Sequence, residues 1–365
     1  QIRQAIELLV DDFSSSYRKK PAIFGSVKRN PDGTELSEEE ALNAVLQASV
    51  RIIMRIVVIL FAEARELLPR SLATYHSNYG VEGMFENLRA AKSGEPEEFF
   101  EETQSEWLKL LGLFRLIYFG SSHPELQIPR YGGQLFAPGD LKSSDPVSRA
   151  LAVYESDEVE VPNGTMLNVL DRLKFGKLKI KQGNKTAFIK GPVDFSELRT
   201  EYIGIIYEGI LDYMLRSSQE TMVLLNIGLQ PILPLSVLET LDKKELKNLF
   251  EQFSKVQKDD GEEDQPEEEI QEEEEPETEE NGEDEPDESD EDETASGDER
   301  IKAWAQNAVV EMGLVKKTGK LKDPFLFSKT VDQRARGLIK RVYRPGDFYL
   351  SLWGGTRKGT GTFYT

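Results

Sequence analysis

Residues 37–69 read SEEEALNAVLQASVRIIMRIVVILFAEARELLP, and this stretch predicts the central helix of the fold. Ser37 is a typical N-cap residue, and Glu40 stands three residues later, where a capping box places its second member. Apolar residues recur at helical spacing from Val45 to Leu68. Pro69 then stops the helix, which Glu63, Arg65 and Glu66 give a polar end.

The same helix is apolar enough to raise the question of a membrane span. Arg51 and Arg55 interrupt it. The uninterrupted apolar run from Ile56 to Ala62 is far shorter than the roughly 20 residues that a transmembrane helix needs. A buried helix at the centre of a helical domain is the better interpretation, and we expect no membrane partner.

The net charge of -21 conceals three regions of different character. Residues 259–299 hold 26 acidic and no basic side chains, whereas residues 301–365 hold 13 basic and 4 acidic ones. The remaining residues, 1–258, are close to neutral, with 31 basic and 36 acidic side chains. We therefore predict a helical accessory domain over 1–258, an acidic linker over 259–300 and a basic helical segment over 301–365.

The acidic linker contains almost no apolar residues, so burial cannot offset the conformational entropy that folding would cost. We expect it to be disordered. Two roles stay open for it. It is a solvated tether, or it mimics the charge of DNA and covers a basic groove until DNA displaces it.

Several classes of site are excluded by composition. The chain has no cysteine, which excludes a disulfide framework and a cysteine-based zinc site. His76 and His123 are its two histidines and lie far apart in sequence, which argues against a histidine metal cluster or a histidine-centred catalytic triad. The absence of cysteine suits a cytoplasmic protein, and we expect that location.

Three segments outside the central helix have informative patterns. Residues 177–189 alternate and predict a small hairpin around Gln182-Gly183-Asn184. Residues 194–216 predict another helix, and residues 224–234 predict an extended segment.

Residues 330–344 predict an amphipathic helix in the basic region. Arg336, Lys340 and Arg344 stand four residues apart, which would place them on one stripe of that helix. Such a stripe is either a solvated face or a contact surface for the phosphate backbone of a nucleic acid.

The chain closes on a run of glycines and threonines, Trp353-Gly354-Gly355-Thr356-Arg357-Lys358-Gly359-Thr360-Gly361-Thr362-Phe363-Tyr364-Thr365. Glycines let a ligand approach the backbone closely and expose its N–H groups, and threonines add hydroxyls. This chemistry suits an anionic or zwitterionic ligand.

Residues 357–365, RKGTGTFYT, resemble the entry to the methyltransferase domain of large adenine-N6 DNA methyltransferases. Residues 59–69, 131–136 and 202–213 resemble blocks in the helical region of the same family, in the same order. The family includes type IIG restriction–modification enzymes and the methyltransferases of the BREX and DISARM phage-defence systems. Residues 346–358 are most similar to the DISARM class 1 methyltransferase.

This resemblance implies S-adenosylmethionine as cofactor, flipping of the target base and methyl transfer to adenine N6. It places the end of the entry motif beside the methionine part of the cofactor. The cofactor-binding candidates are therefore Thr362, Phe363, Tyr364 and Thr365. The DNA-binding candidates are Arg336, Lys340, Arg344, Arg357 and Lys358.

Parts of the family pattern are missing from these residues. The catalytic loop of the family, Asn/Asp-Pro-Pro-Tyr/Phe, is absent, since Asp323-Pro324-Phe325 lacks the second proline. The glycine-rich cofactor turn between a strand and a helix and the motif of an attached nuclease are also absent. We therefore expect no catalytic residue in this chain.

Together these features predict a mainly α N-terminal portion of the enzyme, leading to a Rossmann-like α/β domain that is mostly missing here. Its partners would be double-stranded DNA and other subunits of a defence system, and its role would be to hold DNA while the methyltransferase marks the host genome. The alternative is a non-catalytic DNA-binding or protein-interaction scaffold with the acidic linker as docking site.

Overall fold

The computed structural model describes residues 1–182, 185–197, 212–228, 230–255, 295–315 and 324–352, together with Gly204. The described part is mainly helical, with small antiparallel sheets. The chain divides into two compact units. The N-terminal unit comprises Gln1–Ser218 with the described part of Gly346–Thr365, and the second unit comprises Gln219–Pro345.

The N-terminal unit is a helical body with three short two-stranded sheets. Its helices are α1 (Ile2–Lys19), α2 (Ala22–Lys28), α3 (Glu38–Ala64), α4 (Ala73–Asn78), α5 (Val81–Ala91), α6 (Glu97–Glu102), α7 (Ser105–Phe119), α8 (Pro146–Tyr154) and α9 (Asn163–Lys174). Its strands are β1 (Ser121–His123), β2 (Leu126–Ile128), β3 (Phe175–Gln182), β4 (Lys185–Pro192), β5 (Tyr213–Ser217) and β9 (Phe348–Leu352).

The capping box at the start of α3 is confirmed. The Ser37 hydroxyl accepts the Glu40 backbone N–H at 3.2 Å, and the Glu40 carboxylate accepts the Ser37 backbone N–H at 2.9 Å. The helix ends at Ala64 rather than near Leu68. Glu66 takes a positive φ of 56°, and the Leu67 N–H returns to the Ala62 carbonyl at 2.8 Å, as in a Schellman-type helix end.

Helix α3 is the core helix of the N-terminal unit. In the described part of the chain it is the one helix long and apolar enough to cross a membrane by length and composition. However, 78% of its most apolar 18-residue window is buried inside the protein. Helices α1, α2, α5 and α8 and strand β5 all pack against it. The expectation of a buried central helix is therefore confirmed.

Arg55 is a fully buried cation in the middle of this core helix. Its Nε and Nη2 donate to the backbone carbonyls of Leu135 and Ala137, both at 2.7 Å. Its Nη1 forms an ion pair with the Glu155 carboxylate at 2.8 Å, and the other Glu155 oxygen accepts the Gly139 N–H at 3.1 Å. The guanidinium is thereby paired on each side, which a buried charge requires.

Strands β5 and β9 bring the two parts of the N-terminal unit together. They pair antiparallel from Tyr213 with Leu352 to Ser217 with Phe348. The expected helix over 194–216 is therefore wrong at its end, where residues 213–217 form a strand. Leu215 and Leu350 are buried in the core of the unit, and this long-range pairing outweighs local helical spacing. Most of residues 198–211 lie outside the described part of the chain.

The hairpin expected over 177–189 is confirmed as a longer ribbon. Strands β3 and β4 pair antiparallel over eight residues each, from Phe175 with Pro192 to Gln182 with Lys185. The expected extended segment over 224–234 is confirmed only at its two ends, which lie in the strands Met222–Leu225 and Ile232–Pro234 of the second unit. These two strands pair antiparallel with each other.

The second unit packs helices against a three-stranded antiparallel sheet. Its strands, in the order β7-β6-β8, are β6 (Met222–Leu225), β7 (Ile232–Pro234) and β8 (Ile339–Tyr343). Its helices are α10 (Leu235–Thr240), α11 (Lys243–Lys255), α12 (Ala295–Glu311) and α13 (Pro324–Leu338). Trp304 lies in the core and donates its Nε1–H to the Leu238 carbonyl at 3.0 Å.

These units differ from the predicted division at 258 and 301. Pairing of β6 with β8 places residues on both sides of the acidic linker in one unit. Helix α12 also begins at Ala295, inside the predicted linker of residues 259–300. Residues 259–294 of the predicted linker lie outside the described part of the chain, so their expected disorder stays a prediction.

We predict that Arg55→Met lowers the free energy of unfolding by about 3–5 kcal/mol, since it leaves the Glu155 carboxylate and two backbone carbonyls without their donor. Denaturant titration of the chain measures this change. Arg51→Met is the matched control, because Arg51 lies one turn earlier on α3 and is half-buried. A loss below about 1 kcal/mol in Arg55→Met would contradict the assigned role.

We also predict that Asp12→Asn raises the melting temperature at pH 7. The Asp12 Oδ2 atom is buried with no hydrogen-bond partner among the described residues, and the Thr165 hydroxyl donates to Oδ1 at 3.2 Å. Burial, with a smaller effect from Asp11, raises the pKa of Asp12 well above its usual value. Because the unfolded chain ionises Asp12 at a lower pH than the folded chain, Asp12 costs stability as the pH rises from the unfolded pKa near 3.9 toward the folded pKa. This cost fades again as the pH falls toward the unfolded pKa.

The advantage of Asp12→Asn should accordingly shrink between pH 7 and pH 4 in thermal unfolding followed by circular dichroism. Asp32→Asn is the control of opposite sign. Hydrogen bonds from the Thr34 hydroxyl and backbone N–H lower the pKa of the exposed Asp32, so its replacement should give no stabilisation at pH 7. A pH-independent effect of Asp12→Asn would refute the assignment.

Candidate nucleic-acid interface

The candidate residues fall into two groups. Thr362, Phe363, Tyr364 and Thr365, with Arg357 and Lys358, lie outside the described part of the chain. Arg336, Lys340 and Arg344 lie in the second unit, and all three side chains are exposed. Of the candidate interface, the structure therefore describes the basic segment from Pro324 to Pro345.

Helix α13 directs its basic residues away from the core. Val331, Ala335 and Leu338 are buried in the core of the second unit at helical spacing. Arg334 and Arg336 lie between these positions and are exposed. The amphipathic pattern expected here is confirmed for this part of the segment.

Asn226 marks the point where the helix ends. Its backbone N–H donates to the Leu338 carbonyl at 2.8 Å, and its Nδ2 donates to the Gly337 carbonyl at 3.1 Å. These are carbonyls of the last turn, which have no donor within the helix itself. From Ile339 the chain continues as strand β8, which pairs with β6.

The expected helix over 330–344 is therefore wrong beyond Leu338, and so is the stripe. Arg336 lies on α13, Lys340 lies on β8, and Arg344 follows the strand. Helical four-residue spacing does not relate these three residues. The β-branched and aromatic residues Ile339, Val342 and Tyr343 favour a strand, and the pairing with β6 makes it the stable choice.

A β-bulge places two consecutive basic residues on the surface. Leu225 pairs with Ile339 and Leu224 with Arg341, so Lys340 is the extra residue in β8. Lys340 and Arg341 are both exposed. Strict alternation along the strand would have hidden one of them, and sequence spacing alone gives no signal for this arrangement.

The local contacts of this surface hold its side chains in place. The Lys340 Nζ donates to the Gln230 side-chain oxygen at 2.9 Å. The Arg341 guanidinium lies 4.8 Å from the centre of the Tyr343 ring. Arg341 was not among the sequence candidates, and its position on the bulged strand adds it to the surface.

The segment from Pro324 to Pro345 is strongly basic. Its single acidic residue, Asp332, is hydrogen-bonded by the side chain of Gln306 on α12. Its basic residues are Lys329, Arg334, Arg336, Lys340, Arg341 and Arg344. An exposed surface of this charge attracts polyanions.

Two of the family-like blocks meet in the N-terminal unit, where they have a structural role. The Tyr131 hydroxyl donates to the Leu67 carbonyl at 2.8 Å, which joins the block 131–136 to the block 59–69. Phe136 packs edge-on against Phe114 with 6.2 Å between the ring centres. Arg55, just before the first block, binds the Leu135 carbonyl of the second, as described above.

Glu63, within the block 59–69, lies on α3, and its buried carboxylate contacts the N-terminus of α5. It accepts the Tyr75 hydroxyl and the Val81 N–H, both at 2.8 Å, and the Glu82 N–H at 3.2 Å. Burial raises the pKa of Glu63, and these donors oppose the rise. Because the N-terminus of a helix favours negative charge, Glu63 serves to fix α4 and α5 on the core helix.

The third family-like block, 202–213, lies outside the described residues except for Gly204, Asp212 and Tyr213. The Arg3 guanidinium lies 5.2 Å from the centre of the Tyr213 ring. Among the described residues, no group of three or more His, Asp or Glu side chains is arranged to hold a metal ion.

Comparison with family models, curated proteins and solved structures finds no match to this chain.

We predict that replacing Arg336, Lys340 and Arg344 together by Ala weakens binding of duplex DNA. If each contacts one phosphate, the slope of log K against log salt concentration should become less steep by about 2.7. Fluorescence anisotropy at several salt concentrations measures the slope. The matched control replaces the exposed Lys243, Lys244 and Lys247 on α11, which removes equal charge elsewhere in the second unit. A slope equal to that of the unmodified chain would refute the interface.

Proposed function

We propose that this chain is the N-terminal portion of a site-specific DNA adenine-N6 methyltransferase. In this proposal the full protein is cytoplasmic and marks host DNA in phage defence. The observation that carries the proposal is the occurrence of four family-like blocks in the family's order, ending in RKGTGTFYT at residues 357–365. The exposed basic segment shortly before this motif supports a DNA substrate.

Strand β9, which directly precedes the glycine- and threonine-rich residues 353–365, is anchored on the helical body. Phe348 is buried between aromatic rings, with its ring centre 5.4 Å from that of Tyr17 and 5.6 Å from that of Phe24. Its backbone N–H donates to the Ser14 hydroxyl at 3.1 Å, and Asp347 forms an ion pair with Arg18 at 3.0 Å. The strand that leads to residues 353–365 is thus held on α1.

The cofactor chemistry in this proposal is limited to binding. S-adenosylmethionine, when bound, supplies the methyl group. The hydroxyls of Thr362 and Thr365 suit its carboxylate, and the rings of Phe363 and Tyr364 suit its sulfonium. The exposed arginines and lysines of α13 and β8, with Arg357 and Lys358, would hold the DNA backbone. No residue of this chain is assigned to the transfer itself.

A second candidate function is a non-catalytic DNA-binding or protein-interaction scaffold. The acidic linker favours it, because 26 carboxylates without a basic residue make a docking site for basic partners. The two functions differ in one property, which is methylation of adenine.

We predict that a host expressing the full gene, and lacking other adenine methyltransferases, carries N6-methyladenine in one short sequence motif. Sequencing of native genomic DNA measures this. Tyr364→Ala with Thr365→Ala should lower the methylated fraction, since the entry motif would hold the cofactor less well. The gene cut after residue 365 is the control, and its product should bind DNA without methylating it. Unmodified DNA in cells that accumulate the full protein would favour the scaffold.

A further inference from the structure

A cluster of exposed apolar side chains lies where the two family-like blocks of the N-terminal unit meet. Leu67, Phe119 and Tyr131 are 55%, 59% and 51% exposed. The two rings alone leave roughly 200 Å² of aromatic surface in contact with solvent, and Leu67 adds to it. A contiguous apolar patch of a few hundred Å² on a soluble protein is often functional. No function assigned above uses these exposed surfaces.

Backbone contacts bring the three side chains together and hold them. The Tyr131 hydroxyl donates to the Leu67 carbonyl at 2.8 Å. The Tyr131 N–H donates to the Ile117 carbonyl at 3.1 Å, two residues before Phe119. The Phe119 ring packs edge-on against that of Tyr118, with 4.8 Å between centres. Leu67, Phe119 and Tyr131 therefore form one surface, which we call the aromatic patch.

Two backbone positions with positive φ fix this surface. Gly120 has a φ of 78°, and a Cβ on it would lie 2.8 Å from the Arg130 backbone nitrogen, so only glycine permits the approach of the two segments. Glu66 has a φ of 56° and turns the chain at the end of α3, which places Leu67 outside the helix. The exposure of the patch is thus set by the backbone and not by loose side chains.

Arginines surround the aromatic patch. Residues 65–72 and 115–131 together contain four arginines, no lysine and two acidic residues. The arginines are Arg65, Arg70, Arg115 and Arg130, and all four are exposed. Within the part of the chain that the structure describes, no ion pair involves Arg70, Arg115 or Arg130. Their charge is therefore available to an anionic ligand.

The arginines stand close to the exposed rings. Arg130 directly precedes Tyr131. Arg115 lies one turn before Phe119 on α7, and residues four apart share a face of a helix. Of the two acidic residues, Glu125 lies at the turn between β1 and β2, at the far end of that hairpin from the patch. Aromatic rings and guanidinium groups are thus interleaved on one cationic surface.

This combination of groups suits single-stranded nucleic acid. Unstacked bases stack on aromatic rings and on planar guanidinium groups, and phosphates form charge-assisted hydrogen bonds with arginine. A duplex keeps its bases stacked on one another and would offer this surface its phosphates alone. An acidic protein segment would pair with the arginines, but its carboxylates would leave the flat faces of the rings uncovered.

We propose that the aromatic patch is a binding site for single-stranded DNA. Bases would stack on Phe119 and Tyr131, and phosphates would contact Arg70, Arg115 and Arg130. The proposal rests on the proposed function in taking DNA as the nucleic acid. It adds a site in the N-terminal unit that is distinct from the basic segment of the second unit and needs no methyl transfer.

The test compares two double variants of the chain in binding an oligothymidylate of about ten nucleotides. Phe119→Leu with Tyr131→Leu removes both rings and should weaken binding roughly tenfold or more. Phe119→Tyr with Tyr131→Phe keeps both rings and should bind like the unmodified chain. Fluorescence anisotropy of the labelled strand measures the affinity, and thermal unfolding by circular dichroism shows that each variant folds.

Salt dependence and an abasic strand test the two kinds of contact separately. Replacing Arg70, Arg115 and Arg130 together by Gln should make the slope of log K against log salt concentration less steep by about 2.1 for a single strand. An abasic strand of the same length keeps the phosphates and should bind roughly tenfold more weakly than the oligothymidylate, because no base stacks on the rings.

Equal binding by the two double variants, both folded, overturns the proposal. Equal affinity for the abasic strand does so too, since charge alone would then be recognised. An acidic peptide with leucine and phenylalanine that needs the two rings, while the oligothymidylate does not, would make the patch a protein interface and refute the DNA site. Tighter binding of an oligouridylate than of the oligothymidylate would refute the choice of DNA.

Methylation separates this result from the proposed function. Equal binding by the two double variants with methylated host DNA sinks the single-strand site alone. Binding that depends on the rings, in a host whose DNA stays unmethylated, keeps the site and sinks the methyltransferase.

Discussion

The N-terminal unit depends on the hydrogen bonds and the ion pair that the buried Arg55 guanidinium makes. This guanidinium joins the core helix to two carbonyls of the loop before α8 and to Glu155 after it. Glu155 in turn holds the Gly139 N–H, and a Cβ at Gly139 would lie 2.1 Å from the Ala152 backbone nitrogen. Only glycine permits this approach, so the charge, its partners and the loop are one arrangement.

The structure shows what the sequence blocks 59–69 and 131–136 do in the N-terminal unit. Tyr131 binds the Leu67 carbonyl, and Glu63 binds Tyr75 and the first N–H groups of α5. In the described residues, the blocks 59–69 and 131–136 thus hold the helices together. The helical body in turn anchors the strand β9, which leads to residues 353–365.

The basic region shows how a local pattern can be correct in its charges and incorrect in its geometry. Exposure of Arg336, Lys340 and Arg344 was expected from helical spacing, and all three are exposed. Yet Asn226 binds the last carbonyls of α13, and a bulge in β8 exposes Lys340 next to Arg341. The surface therefore comprises a helix end and a bulged strand, and phosphate contacts on it would follow that shape.

The sequence by itself determined the features set by neighbours along the chain. These are the Ser37 capping box, the buried helix α3, the hairpin of residues 177–189 and the mainly helical class. Only the tertiary structure decided where α13 stops, that residues 213–217 form a strand, and that residues on both sides of the acidic linker share one unit. Each depends on pairing between residues more than 100 positions apart, as Met222 pairs with Tyr343. Local propensity is weaker than such pairing, so spacing alone could not reveal it.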